Sequence, residues 1–245
     1  MTRRSLAIVN FVSGYLVRSG PTRRKIRKLY ETDPKEAHRL ANLEVRRALQ
    51  RILDISGARV HAKGLENIPE GACLYVANHC SYFDIIITDT LIPSGVGYVA
   101  KDNLKKVPGI ADWMELIHCL FLNRTDIKQG LKTILKGVEY LKEGYPMFIF
   151  PEGTRSKNGE VAEFKAGSFK MAQRAKVPIV PVAISGTADI FENNRNLSIK
   201  PADAYVTFGK PFTFADLSKE DRRHVDRIAR QQIIDMIAEQ KKSQE

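Results

Sequence analysis

The segment CLYVANHCSYFDIIITDTLI, residues 73–92, predicts a buried strand, a polar loop and a helix in direct succession. Its first five residues, 73–77, form a short apolar run typical of a strand inside a sheet. A helix is predicted over residues 82–92, because Ser81 can serve as its N-cap and Asp84 completes a Ser-x-x-Asp capping arrangement. A strand followed closely by a helix is the repeating unit of α/β folds.

The same alternation continues on both sides of this segment, from about residue 56 to the C-terminus. Strands are predicted over residues 58–62, 73–77, 95–100, 146–150, 178–184 and 203–208. Helices are predicted over residues 82–92, 110–119, 126–143, 167–175 and 219–241. This pattern predicts a single α/β domain over residues 56–245, with a central sheet, mostly parallel or mixed, and helices on both faces.

Residues 1–55 are predicted to form a basic, amphipathic helix pair ahead of that domain. In the first helix, five apolar residues recur at helical spacing and form one stripe: Ile8, Phe11, Val12, Tyr15 and Leu16. The stretch TRRKIRKL follows a predicted break at Gly20-Pro21. The second helix has Asp33 as its N-cap and Glu36 closing a capping box.

The net charge of +11 is concentrated in this N-terminal segment. Residues 1–55 hold 13 Lys or Arg against 5 Asp or Glu, a net charge of +8. A basic segment favours an anionic partner, which is a nucleic acid, an anionic membrane or an acidic protein. An apolar stripe bracketed by arginines fits a helix lying in a membrane interface, and it also fits a helix packed on its own domain. The charge asymmetry favours the membrane. No apolar run approaches the roughly 20 residues of a spanning helix, so no transmembrane helix is predicted.

Two polar clusters follow predicted strands, where α/β sheets bind their ligands. They are NHCSYFD, residues 78–84, and PEGTRS, residues 151–156. In the first cluster, Asp84 can cap the helix or turn back toward the imidazole of His79. An imidazole with a carboxylate partner has a fixed tautomer and can take a proton from a hydroxyl.

A side-chain nucleophile is an alternative, because Cys80 and Ser81 adjoin His79. However, neighbouring residues on a turn usually diverge, and no G-x-S-x-G elbow is present. A His–Asp pair without a placed nucleophile favours a transferase whose substrate supplies the attacking hydroxyl. The cysteines at 73, 80 and 119 are odd in number and lack C-x-x-C spacing, which predicts reduced thiols in a cytosolic setting.

The second cluster has the composition of an anion-binding turn. Gly153 lets the backbone turn after the strand, while Thr154 and Arg155 offer hydrogen-bond donors. A salt-bridged surface loop is the alternative for this cluster taken alone. Beside a His–Asp base, it suggests phosphate anchoring next to a proton acceptor. No H-E-x-x-H or similar ligand spacing occurs, so no catalytic metal is predicted.

Four motifs together resemble the glycerolipid acyltransferase family. NHCSYFD resembles that family's N-H-x-S-x-x-D signature, FPEGTRS (150–156) its second hallmark and VPIVPVAI (177–184) its final motif. The stretch from Lys101 to Arg124 resembles the intermediate motif. The motifs occur in the family's order over roughly residues 70 to 185, and as an ordered set they are specific. The branch most resembled is that of the 1-acylglycerol-3-phosphate O-acyltransferases of phospholipid biosynthesis.

The resemblance implies particular roles for the residues of these motifs. His79 would act as general base on the acceptor hydroxyl, with Asp84 orienting and charge-stabilising its imidazole. The activated hydroxyl would attack an acyl thioester, so no acyl-enzyme is required. Substrate-binding roles are implied for six residues: Lys101, Arg124, Glu152, Gly153, Thr154 and Arg155. Among these, Arg155 is expected to bind the phosphate.

The resemblance also implies partners and a location. The expected acceptor is lysophosphatidic acid in an anionic membrane, and the expected donor is acyl-coenzyme A or acyl carrier protein, with no cofactor and no nucleic acid. Residues 1–55 fit family members whose N-terminal helix pair inserts superficially, which implies a peripheral or monotopic enzyme on the cytoplasmic face. The alternatives are an acyltransferase acting on another lysophospholipid or on glycerol-3-phosphate, and a non-catalytic basic protein that binds membrane surfaces.

Overall fold

The computed structural model describes residues 2–123 and 126–243, and within them seven strands form one sheet. The strands are β1 (Arg59–Lys63), β2 (Leu74–Ala77), β3 (Gly97–Lys101), β4 (Leu120–Leu122), β5 (Met147–Ile149), β6 (Ile179–Ser185) and β7 (Asp203–Phe208). Their order across the sheet is β1-β7-β6-β2-β5-β3-β4. Every neighbouring pair is parallel except β6 and β7, which are antiparallel. The predicted mixed α/β sheet is therefore confirmed.

Helices cover both faces of this sheet. They are α1 (Arg3–Arg18), α2 (Gly20–Leu29), α3 (Pro34–Ser56), α4 (Tyr82–Leu91), α5 (Ile110–Leu116), α6 (Ile127–Lys142), α7 (Lys170–Ala175) and α8 (Val225–Lys242). Helices α1 to α5 pack on one face, and helices α6 to α8 pack on the other.

Strand β2 shows why the central strands are apolar throughout. Tyr75 and Ala77 point into the core beneath α1 to α5, whereas Leu74 and Val76 point into the core beneath α6 to α8. All four side chains are fully buried. A strand covered on both faces has no solvent-facing position, so its sequence shows a continuous apolar run instead of an alternating one.

The N-terminal segment contains three helices, so the prediction of a helix pair is wrong. Pro21 does not end the helical region but lies in the first turn of α2, where its missing N–H has no intrahelical partner to lose. Helix α3 begins at the predicted Asp33 N-cap, whose Oδ1 accepts from the Glu36 N–H at 3.0 Å. Glu36 does not close the predicted capping box, because its carboxylate accepts from Arg39 instead. The helix ends at Gly57, whose φ of +71° suits glycine. These helices share a core with the sheet, and the division into units 1–55 and 56–245 stays a prediction.

The apolar stripe of α1 faces the protein interior. Phe11, Val12, Tyr15 and Leu16 line an internal cavity, which supports packing on the chain's own domain for that stripe. The outward face of α1 carries other apolar side chains, because Leu6, Val9 and Val17 are 53%, 51% and 79% exposed. In the described part of the chain, no helix combines the length and apolar character needed to cross a membrane.

Strand β4 is missing from the sequence prediction. The helix expected over residues 110–119 ends at Leu116, because His118 takes a left-handed φ of +59° and turns the chain into β4. This strand has three residues, and among the described residues it pairs only with β3. A run of that length carries too little periodicity to be recognised. The last helix begins at Val225 instead of residue 219, after a short 3₁₀ turn.

Candidate active site

The predicted polar clusters meet at one edge of the sheet. Strands β5, β2 and β6 are parallel neighbours, so their carboxyl ends lie side by side. His79 follows β2, the PEGTRS loop follows β5, and Thr187 follows β6. The backbone N–H of Ser156 donates to the carbonyl of His79 at 2.7 Å, which joins the first two loops directly.

His79 and Asp84 form the hydrogen-bonded pair that the sequence predicts. His79 Nδ1 donates to Asp84 Oδ2 at 2.7 Å. The same oxygen accepts from the backbone N–H groups of Cys80 at 2.7 Å and Ser81 at 2.9 Å. Asp84 is fully buried, and its Oδ1 accepts from Thr187 Oγ1 at 2.6 Å. One carboxylate therefore caps α4 and holds the imidazole, so both interpretations of Asp84 are correct.

This geometry leaves one nitrogen of His79 available as a base. Because Nδ1 carries the proton donated to Asp84, Nε2 carries the lone pair. Nε2 makes no hydrogen bond to any residue within 2–123 and 126–243. The ring of Phe150 stacks on the imidazole, with ring centroids 4.0 Å apart and planes inclined by 19°. The imidazole is thus fixed in tautomer and plane, with its free nitrogen at the cavity.

Cys80 and Ser81 are not arranged as nucleophiles. Burial, together with the charges of Asp84 and Glu152, raises the pKa of the Cys80 thiol to about 12, so the reactive thiolate is absent near neutral pH. The Ser81 hydroxyl is buried and donates to Glu192 Oε2 while accepting from the Phe83 N–H. The structure therefore disfavours Cys80 and Ser81 as the side-chain nucleophile of that alternative.

The loop after β5 presents backbone donors beside His79. Gly153 has φ of +76°, and its N–H donates to the Phe150 carbonyl at 3.0 Å, which closes a tight turn. The following N–H groups, of Thr154 and Arg155, donate to no group in the described residues. Gly153, Thr154 and Arg155 line the same cavity as His79. Free N–H groups next to a guanidinium form a favourable place for an anion.

The cavity has a volume of about 600 Å³ and runs from this polar mouth into the apolar interior. Its inner wall is built mainly by α1, α3, α5 and β3, and includes Phe11, Leu49, Tyr98, Trp113 and Ile117. A concave apolar site with a few polar groups at one end suits a ligand that has a reactive head and a hydrocarbon tail.

Comparison with known proteins identifies the family. A family model described as Acyltransferase matches residues 59–185, more than half of the chain. The chain belongs to the acyltransferase family. The matched region holds the His79–Asp84 pair and the loop after β5, so the resemblance seen in the motifs is confirmed.

Individual acyltransferases give the same result. The chain is 34% identical over 168 residues to a chloroplast 1-acyl-sn-glycerol-3-phosphate acyltransferase of Brassica napus, covering 66% of this chain and 48% of that one. It is 33% identical over 191 residues to the 1-acyl-sn-glycerol-3-phosphate acyltransferase of Saccharomyces cerevisiae, covering 75% and 61%. The chain thus spans about half to three-fifths of the length of these relatives.

A solved acyltransferase structure has the same fold over nearly the full length of both chains. The crystal structure of PlsC, the 1-acyl-sn-glycerophosphate acyltransferase of Thermotoga maritima, superposes with a TM-score of 0.79 at 26% identity. The similarity covers 96% of this chain and 95% of that one. It therefore includes the N-terminal helices as well as the sheet.

Glu152 contacts the His79 backbone in the candidate active site of this acyltransferase. Its buried carboxylate accepts from the His79 N–H at 2.7 Å and from the Ala162 N–H at 3.0 Å. Burial raises the pKa of this carboxyl, while the backbone donors oppose that rise. The bond to the His79 N–H links the His79 loop to the loop after β5, to which Glu152 belongs. The side chain of Glu152 is not among those lining the cavity. A direct contact with substrate stays a prediction.

Lys101 and Arg124 are the other two positively charged residues predicted to bind substrate. Lys101 lies at the end of β3 with an exposed side chain that lines the cavity. It forms no hydrogen bond or ion pair with any residue that the structure describes, so its ammonium group is available. Arg124 lies outside the described residues.

Glu192 is a site residue that the sequence prediction missed. Its Oε1 accepts from Arg155 Nη1 at 2.7 Å and from the Tyr82 N–H at 2.9 Å. The Arg155 guanidinium also lies 3.9 Å from the centre of the Tyr82 ring. Glu192 thus fixes Arg155 at the N-terminus of α4. It lies in a segment without helical or strand periodicity, so no local pattern marks it.

Asn78 positions the His79 loop, as Thr187 positions Asp84. Asn78 donates to the Ile184 carbonyl at 2.8 Å and accepts from the Ile184 N–H at 2.9 Å. Its amide therefore continues the β2–β6 pairing beyond the end of β2 and holds the start of the His79 loop. Asn78 is the first residue of the NHCSYFD motif, but its role depends on contact with Ile184, which lies 106 residues further along the chain.

Proposed function

We propose that this acyltransferase moves a fatty acyl group from an acyl thioester to the free hydroxyl of 1-acyl-glycerol-3-phosphate, which yields phosphatidic acid for phospholipid biosynthesis. The observation that carries the proposal is the 2.7 Å contact between His79 Nδ1 and Asp84 Oδ2 at the mouth of an apolar cavity, with Nε2 bonded to none of the described residues. The names of the relatives support this acceptor.

In the proposed reaction His79 moves one proton and forms no covalent bond. Nε2 takes the proton of the acceptor hydroxyl as that oxygen attacks the thioester carbonyl. The carbon–sulfur bond then breaks, and the imidazolium returns the proton to the departing thiolate. Asp84 stabilises the imidazolium between these steps. The acyl thioester is a co-substrate, so the chemistry requires no resident cofactor or metal.

The acceptor phosphate is proposed to bind at the loop after β5. Arg155 supplies a guanidinium, and the N–H groups of Thr154 and Arg155 are free to donate. Lys101 adds a second positive charge at the same cavity. In the structure, the Arg155 side chain is 35% exposed and paired with Glu192, so it is fixed and still accessible. These groups position the acceptor, whereas His79 performs the chemistry.

The apolar cavity is proposed to hold the fatty acyl chain of the donor. The carbonyl would lie near His79 and the chain would extend inward between α1, α3 and β3. Each buried methylene contributes about 0.8 kcal/mol, so a cavity of this kind binds the chain strongly. Acyl-coenzyme A and acyl carrier protein are both acidic donors that suit a basic enzyme.

The outward face of α1 is proposed to lie in the membrane interface, on the cytoplasmic face. Leu6, Val9 and Val17 are more than half exposed, and residues 1–55 carry a net charge of +8. Apolar insertion and attraction to anionic lipid are the two contributions to interfacial binding. This makes the enzyme peripheral or monotopic, and it gives the active site access to a lipid acceptor.

The test is a transfer assay with purified protein, crossing three acceptors with two donors. The acceptors are lysophosphatidic acid, glycerol-3-phosphate and lysophosphatidylcholine, and the donors are acyl-coenzyme A and acyl carrier protein. We expect phosphatidic acid from lysophosphatidic acid as the preferred reaction. Preferred transfer to glycerol-3-phosphate or lysophosphatidylcholine would replace the proposed acceptor. Vesicle binding without transfer from either donor would favour the non-catalytic alternative.

A further inference from the structure

Asp89 is an acidic residue on the inner wall of an otherwise apolar cavity. Tyr82, Ile85 and Asp89 lie on one face of α4, and all three line the cavity. With a rise of about 1.5 Å per residue, Asp89 lies roughly 10 Å further along the helix than Tyr82. The Asp89 side chain is almost fully buried, with 2% of its surface exposed.

The carboxyl group of Asp89 has no hydrogen bond or ion pair within residues 2–123 and 126–243. Of the nearby donors, the Tyr98 hydroxyl is already used, whereas Arg46 Nε is buried without a hydrogen-bond partner among the described residues. The Tyr98 hydroxyl pairs with Thr88 Oγ1 at 2.8 Å. Arg46 donates from α3 to the carbonyls of residues 92 and 93, so its charge attracts Asp89 without contacting it.

A buried carboxyl without a partner among the described residues favours a hydrogen-bonding partner bound in the cavity. Leaving such a group unsatisfied costs about 1–3 kcal/mol, and nearly all buried polar groups in folded proteins are paired. A saturated hydrocarbon chain in the cavity cannot provide that pairing. Burial raises the pKa of Asp89 to about 7, with Arg46 acting in the opposite direction. The group can therefore donate or accept a hydrogen bond near neutral pH.

We propose that Asp89 forms a hydrogen-bonding subsite for a hydroxyl group carried by the donor's fatty acyl chain. This inference rests on the proposed function, because that function places the chain in the cavity. Asp89 follows Asp84 by five residues of α4, about 7.5 Å along the helix axis. The hydroxyl that it binds therefore lies at mid-chain and not beside the reacting carbonyl.

The test compares three acyl-coenzyme A donors of equal chain length with lysophosphatidic acid as acceptor. One donor is unsubstituted, one has a mid-chain hydroxyl, and one has its hydroxyl next to the thioester carbonyl. For the wild-type protein, we expect kcat/KM to be about tenfold higher with the mid-chain hydroxyl than with the unsubstituted chain. A hydroxyl beside the carbonyl should bring no such gain.

Two variants test whether Asp89 is responsible. Asp89→Leu is similar in size and cannot form hydrogen bonds, so it should abolish the preference or reverse it. Asp89→Asn can still donate and accept, so it should keep part of the preference. The subsite proposal is wrong if the ratio of kcat/KM for the mid-chain hydroxy donor to that for the unsubstituted donor is the same in the wild type and in Asp89→Leu. It is also wrong if both hydroxyl positions are favoured equally. If Asp89→Leu does not fold, the proposal is still tested by comparing kcat/KM for the two hydroxyl positions in the wild type and in Asp89→Asn.

Binding separates this proposal from the proposed function. If no donor is transferred, the proposed function fails, and the free hydroxylated and unsubstituted fatty acids are compared as ligands by thermal shift. A larger stabilisation by the mid-chain hydroxy acid in the wild type, lost in Asp89→Leu, would still support the subsite. Equal stabilisation by both acids would overturn it.

Discussion

Acidification should destabilise the protein through two stacked histidines that join the N-terminal helices to the edge of the sheet. His38 on α3 and His118 before β4 are buried, with ring centroids 4.4 Å apart. His38 Nε2 and His118 Nδ1 have no hydrogen-bond partner among the described residues. Burial lowers the pKa of His38 to about 4 and that of His118 to about 3. Both imidazoles are therefore neutral in the folded protein at neutral pH.

The direction and size of the effect follow from proton linkage. Below the unfolded pKa of about 6.5, the unfolded chain binds protons that the folded chain does not. The stability that comes from the neutral imidazoles is thus complete above about pH 6.5 and is lost as pH falls toward about 4. For His38 alone, a shift from 6.5 to about 4 at 1.36 kcal/mol per unit gives about 3 kcal/mol. His118 adds to the effect in the same direction.

The assay is urea unfolding at about pH 7.5 and about pH 4.5, on either side of this window. His38→Phe keeps an aromatic ring in the stack and removes the titrating group. We expect the loss of unfolding free energy between the two pH values to be smaller in His38→Phe by about 2–3 kcal/mol. His224→Gln, which changes an exposed histidine, should retain the wild-type loss. An unchanged loss in His38→Phe would refute the reasoning.

Three further predictions concern the site and the membrane face. Asp84→Asn places an amide where the carboxylate accepts several N–H donors, so kcat should fall about 10²–10⁴-fold with little change in acceptor KM. Glu192→Gln keeps the oxygen that orients Arg155 but removes the negative charge of the carboxylate, which competes with the acceptor phosphate for Arg155. The KM for lysophosphatidic acid should therefore fall severalfold at constant kcat, and a large loss of kcat would contradict this. Val9→Asp on the exposed face of α1 should weaken sedimentation with anionic vesicles while the folded fraction, measured by circular dichroism, stays constant.

The parts of the fold that the sequence predicted are those governed by local pattern. Strand β2 and helix α4 follow from an apolar run and a capping box, and these same features place His79 and Asp84 together. Helix α3 likewise begins at a recognisable Asp33 cap. Where the local pattern is short or ambiguous, the prediction failed. Strand β4 has only three residues, and Pro21 lies in the first turn of a helix where the sequence predicts a break.

The remaining parts depend on contacts between distant residues. Thr187 reaches Asp84 across 103 residues and Glu192 reaches Ser81 across 111, and neither lies in a periodic segment. The stripe on α1 shows a different limit. Helical periodicity identifies an amphipathic helix but not the surface that covers it, so Phe11 and Tyr15 fitted both a membrane and a protein interior. The same applies to Asp89, whose position on the cavity wall requires the packing of α3 and β3 to be known.

The most direct test of the central claim is the initial rate of phosphatidic acid formation by His79→Ala, measured beside Cys80→Ala. If His79 Nε2 is the base that activates the acceptor hydroxyl, His79→Ala should lose at least about 10³-fold in kcat while its far-ultraviolet circular dichroism stays native. Cys80→Ala, which removes a protonated thiol, should retain nearly full activity. Near-normal phosphatidic acid formation by His79→Ala, or its loss in a folded Cys80→Ala protein, would contradict the account.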